Sequence, residues 1–205
     1  MNSITNKPHA SGYLALALRQ RLINRFPLMR SVESENDLEH ASVVSLLAMM
    51  AGHLANNRGK NVNVQRMMGH GLVHDQPEVL CQDISSVIKN LTPEMRKAYG
   101  DIESAAEADL IATIPDEIRD IMRSYFEVDG YEYALTKACD KYAAYIKIVQ
   151  ECAANNTIEY GDALRKQTKK VEELCEEFEE IEAIHHYFRD GLTLSVDALL
   201  GKDTD

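Results

Sequence analysis

Apolar residues recur at helical spacing throughout this chain, and no segment alternates apolar and polar residues with the period of two that a half-buried strand requires. The pattern predicts helices packed on helices, with no sheet for them to cover. Val43, Val44, Leu46, Leu47, Met50 and Leu54 follow Asn36 and Asp37, either of which can cap a helix that carries His40 in its first turn. Leu135, Cys139, Tyr142, Ile146 and Val149 form a second stripe between Tyr131 and about Asn155, with Asp140 beside it and the small Ala143 and Ala144 one turn on. Val171, Leu174, Phe178, Ile181, His185 and Phe188 mark one face of a long helix from Glu159 to Phe188, whose many glutamates read as a solvated face. Thr92-Pro93-Glu94 and Pro115-Asp116-Glu117 are two further helix starts. There is no internal repeat and no low-complexity linker. The 205 residues suffice for one sizeable core. The expectation is therefore a single all-α domain over 1–205, with 1–10 and 201–205 as tails.

Charge and cysteine usage narrow the function. A formal net charge of -11 opposes binding along a polyanion, so long DNA or RNA is not an expected partner. Cys81, Cys139, Cys152 and Cys175 show no CxxC spacing and lie among helical residues, which suits reduced, packed thiols in a cytoplasmic protein. The N-terminal segment lacks a charged region followed by an apolar run, and no stretch reads as a membrane span, so neither export nor a membrane partner is expected.

The chemistry concentrates in Gly71-Leu72-Val73-His74-Asp75-Gln76-Pro77-Glu78. Val64, Met67, Met68, Gly71 and Leu72 recur at helical spacing, so His74 and Asp75 complete the last turn of a helix that Pro77 helps to stop. A lone His-Asp pair can merely cap a helix and open a loop. With His40 upstream and Asp140 downstream it becomes two imidazoles and two carboxylates, a set able to ligate a divalent metal. Upstream, Pro27 disfavours helical geometry at Phe26, so Arg25-Phe26-Pro27-Leu28 is expected to turn and to project side chains from a fixed base. Glu39 reads as a first-turn acid favoured by the helix dipole, and His70, four residues before His74, as a packed or supporting histidine because no further carboxylate cluster accompanies it in sequence.

The order His40, His74-Asp75, Asp140 resembles the HD-domain phosphohydrolase superfamily, an all-helical fold. The similarity is closer to the bacterial HD-domain 5'-deoxynucleotidases. It is carried by Leu22-Ile23-Asn24-Arg25-Phe26-Pro27-Leu28-Met29-Arg30, Glu39-His40, His74-Asp75 with Glu78-Val79-Leu80, and Lys137 before Asp140. The family commonly has Trp where this chain has Phe26, and a Pro-rich loop where this chain has Gln82-Asp83-Ile84-Ser85-Ser86. The resemblance implies that His40, His74, Asp75 and Asp140 hold one divalent metal, with Co, Mn or Zn the first expectation and Mg or Fe the second. It also implies a deoxyribonucleoside 5'-monophosphate as substrate, cut to nucleoside and phosphate, with Phe26 as the wall that crowds the sugar.

Within that reading, Arg25 grips the phosphate. Glu78 and Asp83 divide water activation and leaving-group protonation, with Asp83 favoured on the water side. Lys89 and Lys137 are secondary phosphate contacts. Small phage-type HD-domain deoxynucleoside triphosphohydrolases, which release triphosphate, are the alternative. A metal-dependent nucleotide-binding regulator without turnover is the alternative from another class. Apolar stripes on several long helices also suggest a homo-oligomer, a dimer or higher.

Overall fold

The computed structural model describes residues 11–84 and 86–202, so residues 1–10 and 203–205 of the expected tails lie outside the described residues. Helix follows helix: α1 (Tyr13–Ala17), α2 (Asp37–Asn57), α3 (Val64–Val73), α4 (Glu78–Cys81), α5 (Ser86–Lys89), α6 (Pro93–Ala112), α7 (Asp116–Phe126), α8 (Gly130–Ala153), α9 (Thr157–Glu177), α10 (Glu179–Phe188) and α11 (Val196–Leu199). Two short 3-10 turns, Leu18–Leu22 and Arg189–Thr193, extend α1 and α10. No strand occurs among the described residues. An isolated antiparallel bridge, Asn24 to Asn36, closes the loop between α1 and α2.

The helix starts follow the local chemistry. Asn36 is the cap of α2: its side chain accepts from the backbone N–H of Leu38 and Glu39, while the Glu39 carboxylate accepts from Asn36 N–H. Glu39 is thus spent on a capping box. Thr92 caps α6, with Pro93 at the first position. Three expectations need correction. The helix foreseen from Glu159 to Phe188 is two helices, broken at Phe178, whose backbone is extended and whose side chain is buried in the core against Tyr131. Neither Gly nor Pro marks that break; burial of the ring imposes it. Phe188 is correspondingly exposed, and Glu180, inside the run read as solvated, is fully buried and ion-paired 2.8 Å from Lys60. The loop after Pro77 contains the one-turn α4, which begins at Glu78.

The larger core joins α2, α3, α8, α9 and α10 through residues such as Val44, Ala48, Met67, Leu135, Tyr142, Val171 and Ile181. A smaller one joins α3 to α6 and α7 through Val73, Leu110, Ile111, Ile114 and Phe126. Helix α2 has the length and apolarity of a membrane span, which the sequence reading did not foresee. It nevertheless carries the buried Asp37 and His40 at its start and packs its apolar face on α3, α8 and α10. Because α3 belongs to both cores, its C-terminal end is fixed where they meet.

At Gly71 the contact between α2 and α3 is backbone on backbone. A Cβ added at Gly71 would stand 3.0 Å from Ser45 Cα and 3.1 Å from the Val44 carbonyl carbon, closer than packed atoms tolerate. Gly71→Ala is therefore expected to force the helices apart and cost about 1–3 kcal/mol, the usual cost of overpacking. For a chain of this size that lowers the melting temperature by roughly 2–4 °C per kcal/mol. Thermal denaturation followed by circular dichroism checks this, and an unchanged midpoint would show that the helices separate freely here.

The loop from Ile23 to Asn36 is pinned from below. The buried Glu151 carboxylate on α8 accepts from the N–H groups of Val32, 2.8 Å, and Glu33, 3.1 Å, and pairs with Lys147 at 2.6 Å. Lys147 also donates to the Glu33 carbonyl, and Asn156 to the Arg30 carbonyl. This clamp supplies the fixed base expected beneath Arg25 and Phe26.

Candidate active site

Three elements deliver the central side chains. His40 points inward from the first turn of α2, fully buried. Val73 is the last residue of α3 and His74 its C-cap, so the helix is two residues shorter than one ending in Asp75 would be. The His74 Nδ1–H donates to the Gly71 carbonyl at 2.9 Å, which aims Nε2 away from the helix. Asp140 comes from the middle of α8. Its Oδ1 is 2.9 Å from His40 Nε2 and 3.8 Å from His74 Nε2, and its Oδ2 accepts from Lys137 Nζ at 3.0 Å. One ligating atom from each of His40, His74 and Asp140 lies within 4.8 Å of the others. Asp75 stands outside that trio but beside it, Oδ2 3.2 Å from His74 Nε2.

The electrostatics favour a cation. His74 Nε2 is buried without a hydrogen-bond partner. Burial alone would lower its imidazole, yet Asp75 and Asp140 raise it to about 10. Burial likewise opposes ionisation of Asp75 and Asp140, but His74 holds Asp75 down to about 2, and His40 and His74 together hold Asp140 well below the ordinary carboxylate range. Two ionised carboxylates around an imidazole that keeps its proton so strongly make a place where positive charge is demanded, and a divalent ion can take the proton's place.

Arg25 leaves the pinned loop towards this centre. Its Nη1 is 3.5 Å from Asp75 Oδ2 and its Nε 3.0 Å from Glu35 Oε1. Phe26 has φ +53, a left-handed backbone that a bulky residue rarely adopts. Its ring rests 5.8 Å from the fully buried Tyr160, whose hydroxyl pairs with Ser31 at 2.5 Å. Phe26, Pro27, Leu28 and Ile84 wall a cavity of about 520 Å³ that Arg25, Asp75, Glu78, Asp83, Lys89 and Asp140 also line.

Burial, then Asp75 and Asp83, push the Glu78 carboxyl up to about 8, and its Oε2 is buried without a partner. Lys89 Nζ sits between the two acids, 3.8 Å from Glu78 and 3.9 Å from Asp83, and bonds Glu103 at 2.9 Å. Every site residue expected from the sequence is thus gathered here, although Lys137 is engaged with Asp140 and not turned free towards a ligand.

Two acids were missed. Glu35 Oε1 lies 3.6 Å from His40 Nδ1 as well as beside Arg25, so one carboxylate steadies both. Asp37, read as a cap, is fully buried with neither oxygen bonded, and burial followed by Asp75 raises it to about 7. The acidic run Glu33 to Glu39 offered no signal to separate them.

An all-helical bundle with His40, His74-Asp75 and Asp140 at its centre defines an HD-domain phosphohydrolase fold. The chain overlays an HD-domain phosphohydrolase from Listeria innocua with a TM-score of 0.74 over 90% of this chain and 89% of the other, at 18% identity. It overlays the cyanophage S-2L HD phosphohydrolase DatZ, solved with dA and one catalytic Zn2+ ion, with a TM-score of 0.61 over 87% of this chain and 95% of the other, at 20% identity. A 5'-deoxynucleotidase of Vibrio cholerae serotype O1 is 37% identical over 160 residues, 76% of this chain and 82% of the relative. The family profile of the 5'-deoxynucleotidase YfbR-like proteins matches residues 12–192. The chain belongs to that YfbR-like family.

Proposed function

We propose that this protein is a divalent-metal-dependent 5'-deoxynucleotidase that hydrolyses deoxyribonucleoside 5'-monophosphates to deoxynucleoside and phosphate. The observation that carries this is the convergence of His40, His74 and Asp140 within 4.8 Å, with Asp75 against His74 and Arg25 reaching Asp75. His40, His74, Asp75 and Asp140 would hold the ion, their mixed nitrogen and oxygen donors suiting Mn, Co or Zn, with Mg or Fe next. When bound, such an ion withdraws charge from a phosphoryl oxygen and lowers the pKa of water.

The chain's own residues supply the rest. Arg25 presents a planar guanidinium to the non-bridging phosphate oxygens, held in direction by Glu35. Asp83 accepts a proton as a water oxygen bonds to phosphorus. The P–O5' bond breaks, and Glu78, whose proton is retained to about pH 8, delivers it to the departing O5'. Lys89 stands between the two acids and balances them. Lys137 orients Asp140. Phe26 walls the sugar and disfavours a 2'-hydroxyl.

The second cavity of the site carries Glu103 and Glu107 beside Lys89 and Lys137, and both lysines are already paired with carboxylates, which leaves neither free for the β and γ phosphates of a triphosphate. The exposed Leu46, Leu72, Ile118 and Ile121 on α2, α3 and α7 support a homo-oligomer. The test is product chromatography from dAMP, AMP and dATP at matched concentration with added Mn2+ or Co2+. Deoxyadenosine and phosphate from dAMP are expected, with AMP slower. Triphosphate released from dATP with little reaction of dAMP would replace the reading with a triphosphohydrolase. Equal turnover of AMP and dAMP would remove Phe26 from the sugar filter.

A further inference from the structure

We infer that Tyr160, a residue of α9 behind the reacting site, sets the choice between deoxyribose and ribose by fixing the Phe26 ring; this rests on the 5'-deoxynucleotidase reading proposed above. Phe26 is half-buried and stands at φ +53. A bulky residue keeps a left-handed backbone only where its surroundings over-determine it. Arg25 and Tyr160 both meet its ring. The Arg25 guanidinium carbon lies 5.9 Å from the ring centre, and the Tyr160 ring is 5.8 Å away at an interplanar angle of 60°, a tilted pairing that aromatic rings favour. Arg25 is drawn towards Asp75 and committed to the phosphate, so its hold on the ring belongs to the site itself. Tyr160 is independent of the site. It is fully buried in the first turn of α9, and its backbone N–H donates to the Asn156 carbonyl at 3.0 Å.

The Tyr160 hydroxyl anchors the loop at a second point. It lies 2.5 Å from the Ser31 hydroxyl, five residues beyond Phe26. One side chain thus ties both ends of the turn from Phe26 to Ser31 to α9. Glu151 and Asn156 hold the loop at Arg30, Val32 and Glu33, and Tyr160 extends that hold to the ring. Phe26 walls the cavity of about 520 Å³ with Pro27, Leu28 and Ile84, and Tyr160 lies outside that lining. Its effect on a substrate therefore passes through Phe26. A wall that rejects a 2'-hydroxyl has one oxygen atom to exclude, so it filters only if it cannot yield by that width. Pro27 and Leu28 are exposed and offer the ring no backing. Tyr160 supplies it from the interior.

The test measures kcat and KM for dAMP and AMP, with added Mn2+, in the wild type, Tyr160→Leu, Tyr160→Phe and Ser31→Ala. Tyr160→Leu is expected to raise AMP turnover and to lower the dAMP-to-AMP ratio of kcat/KM by about tenfold, with kcat on dAMP nearly unchanged. Tyr160→Phe and Ser31→Ala remove the same hydroxyl contact from its two sides, and smaller, equal falls in the ratio are expected. A gain on AMP is not what a loosened fold produces, since that slows both substrates. A second readout needs no turnover: 19F NMR of protein carrying 4-fluorophenylalanine, with the Phe26 line assigned by its loss in Phe26→Leu. That line is expected to shift or broaden in Tyr160→Leu. An unchanged ratio in all three variants overturns the proposal, and the line says why: unmoved, Tyr160 does not hold the ring; moved, the ring does not filter the sugar. If Tyr160→Leu does not fold, Tyr160→Phe and Ser31→Ala decide. A wild type that turns over dAMP and AMP equally overturns the filter while leaving the hydrolase reading standing, and a wild type inert towards dAMP overturns both.

Discussion

His74→Ala and Asp140→Ala are each expected to lose the tightly bound cation and to slow dAMP hydrolysis by about three orders of magnitude, since a catalytic ion supplies several kcal/mol at 1.36 kcal/mol per tenfold. The two removals differ in what they strand. Without the His74 ring, Asp75 Oδ2 loses the imidazole 3.2 Å away that holds its carboxyl down to about 2. Without Asp140, the buried His40 Nε2 and Lys137 both lose their acceptor, so this variant is expected to be the less stable of the pair. Asp140→Asn keeps shape and one acceptor oxygen while removing charge, and separates loss of metal from loss of fold. Metal content by mass spectrometry, read beside circular dichroism, checks the result. Full occupancy and normal turnover in both alanine variants would dismiss the site.

What could be read ahead of the fold, and what could not, follows from the range of the interactions. His40, His74 and Asp140 were legible because each sits at a place that local pattern defines: a capped first turn, a helix end before proline, a position beside an apolar stripe. Glu35 acquires its place only when the backbone returns from Ile23 to Asn36 and sets its carbonyl against Arg25 N–H at 2.9 Å. That closure spans ten residues of irregular chain, and one acid among several gave no hint of it. The break at Phe178 and the burial of Glu180 are likewise decided by packing against Tyr131 and Lys60, from segments far along the chain. Pro27 announced that Phe26 leaves helical geometry. That an aromatic residue would take positive φ there was beyond local propensity, and it depends on Tyr160 and Ser31 beneath.

Glu78→Gln is expected to lower kcat for dAMP by about 10²- to 10⁴-fold, the usual contribution of a positioned acid or base, with KM nearly unchanged. The carboxyl is buried beside Asp75 and Asp83 and retains its proton to about pH 8, so at neutral pH it has one to give. Glutamine fills the same space without that proton, and the one-turn helix that carries it starts behind Pro77 whichever residue is present. Asp83→Asn should produce a loss of similar size for the opposite reason, the absence of an acceptor for the water proton. Arg25→Ala removes the guanidinium 3.5 Å from Asp75 and is expected to raise KM as well as to lower kcat. The two carboxyl roles separate on an ester whose leaving group is an acidic phenol. Such an oxygen departs without a proton, so Glu78→Gln should recover most of the wild-type rate on it, and Asp83→Asn should not. Recovery in Asp83→Asn and none in Glu78→Gln would exchange the two assignments. Normal turnover of dAMP by all three variants would remove them from the chemistry altogether.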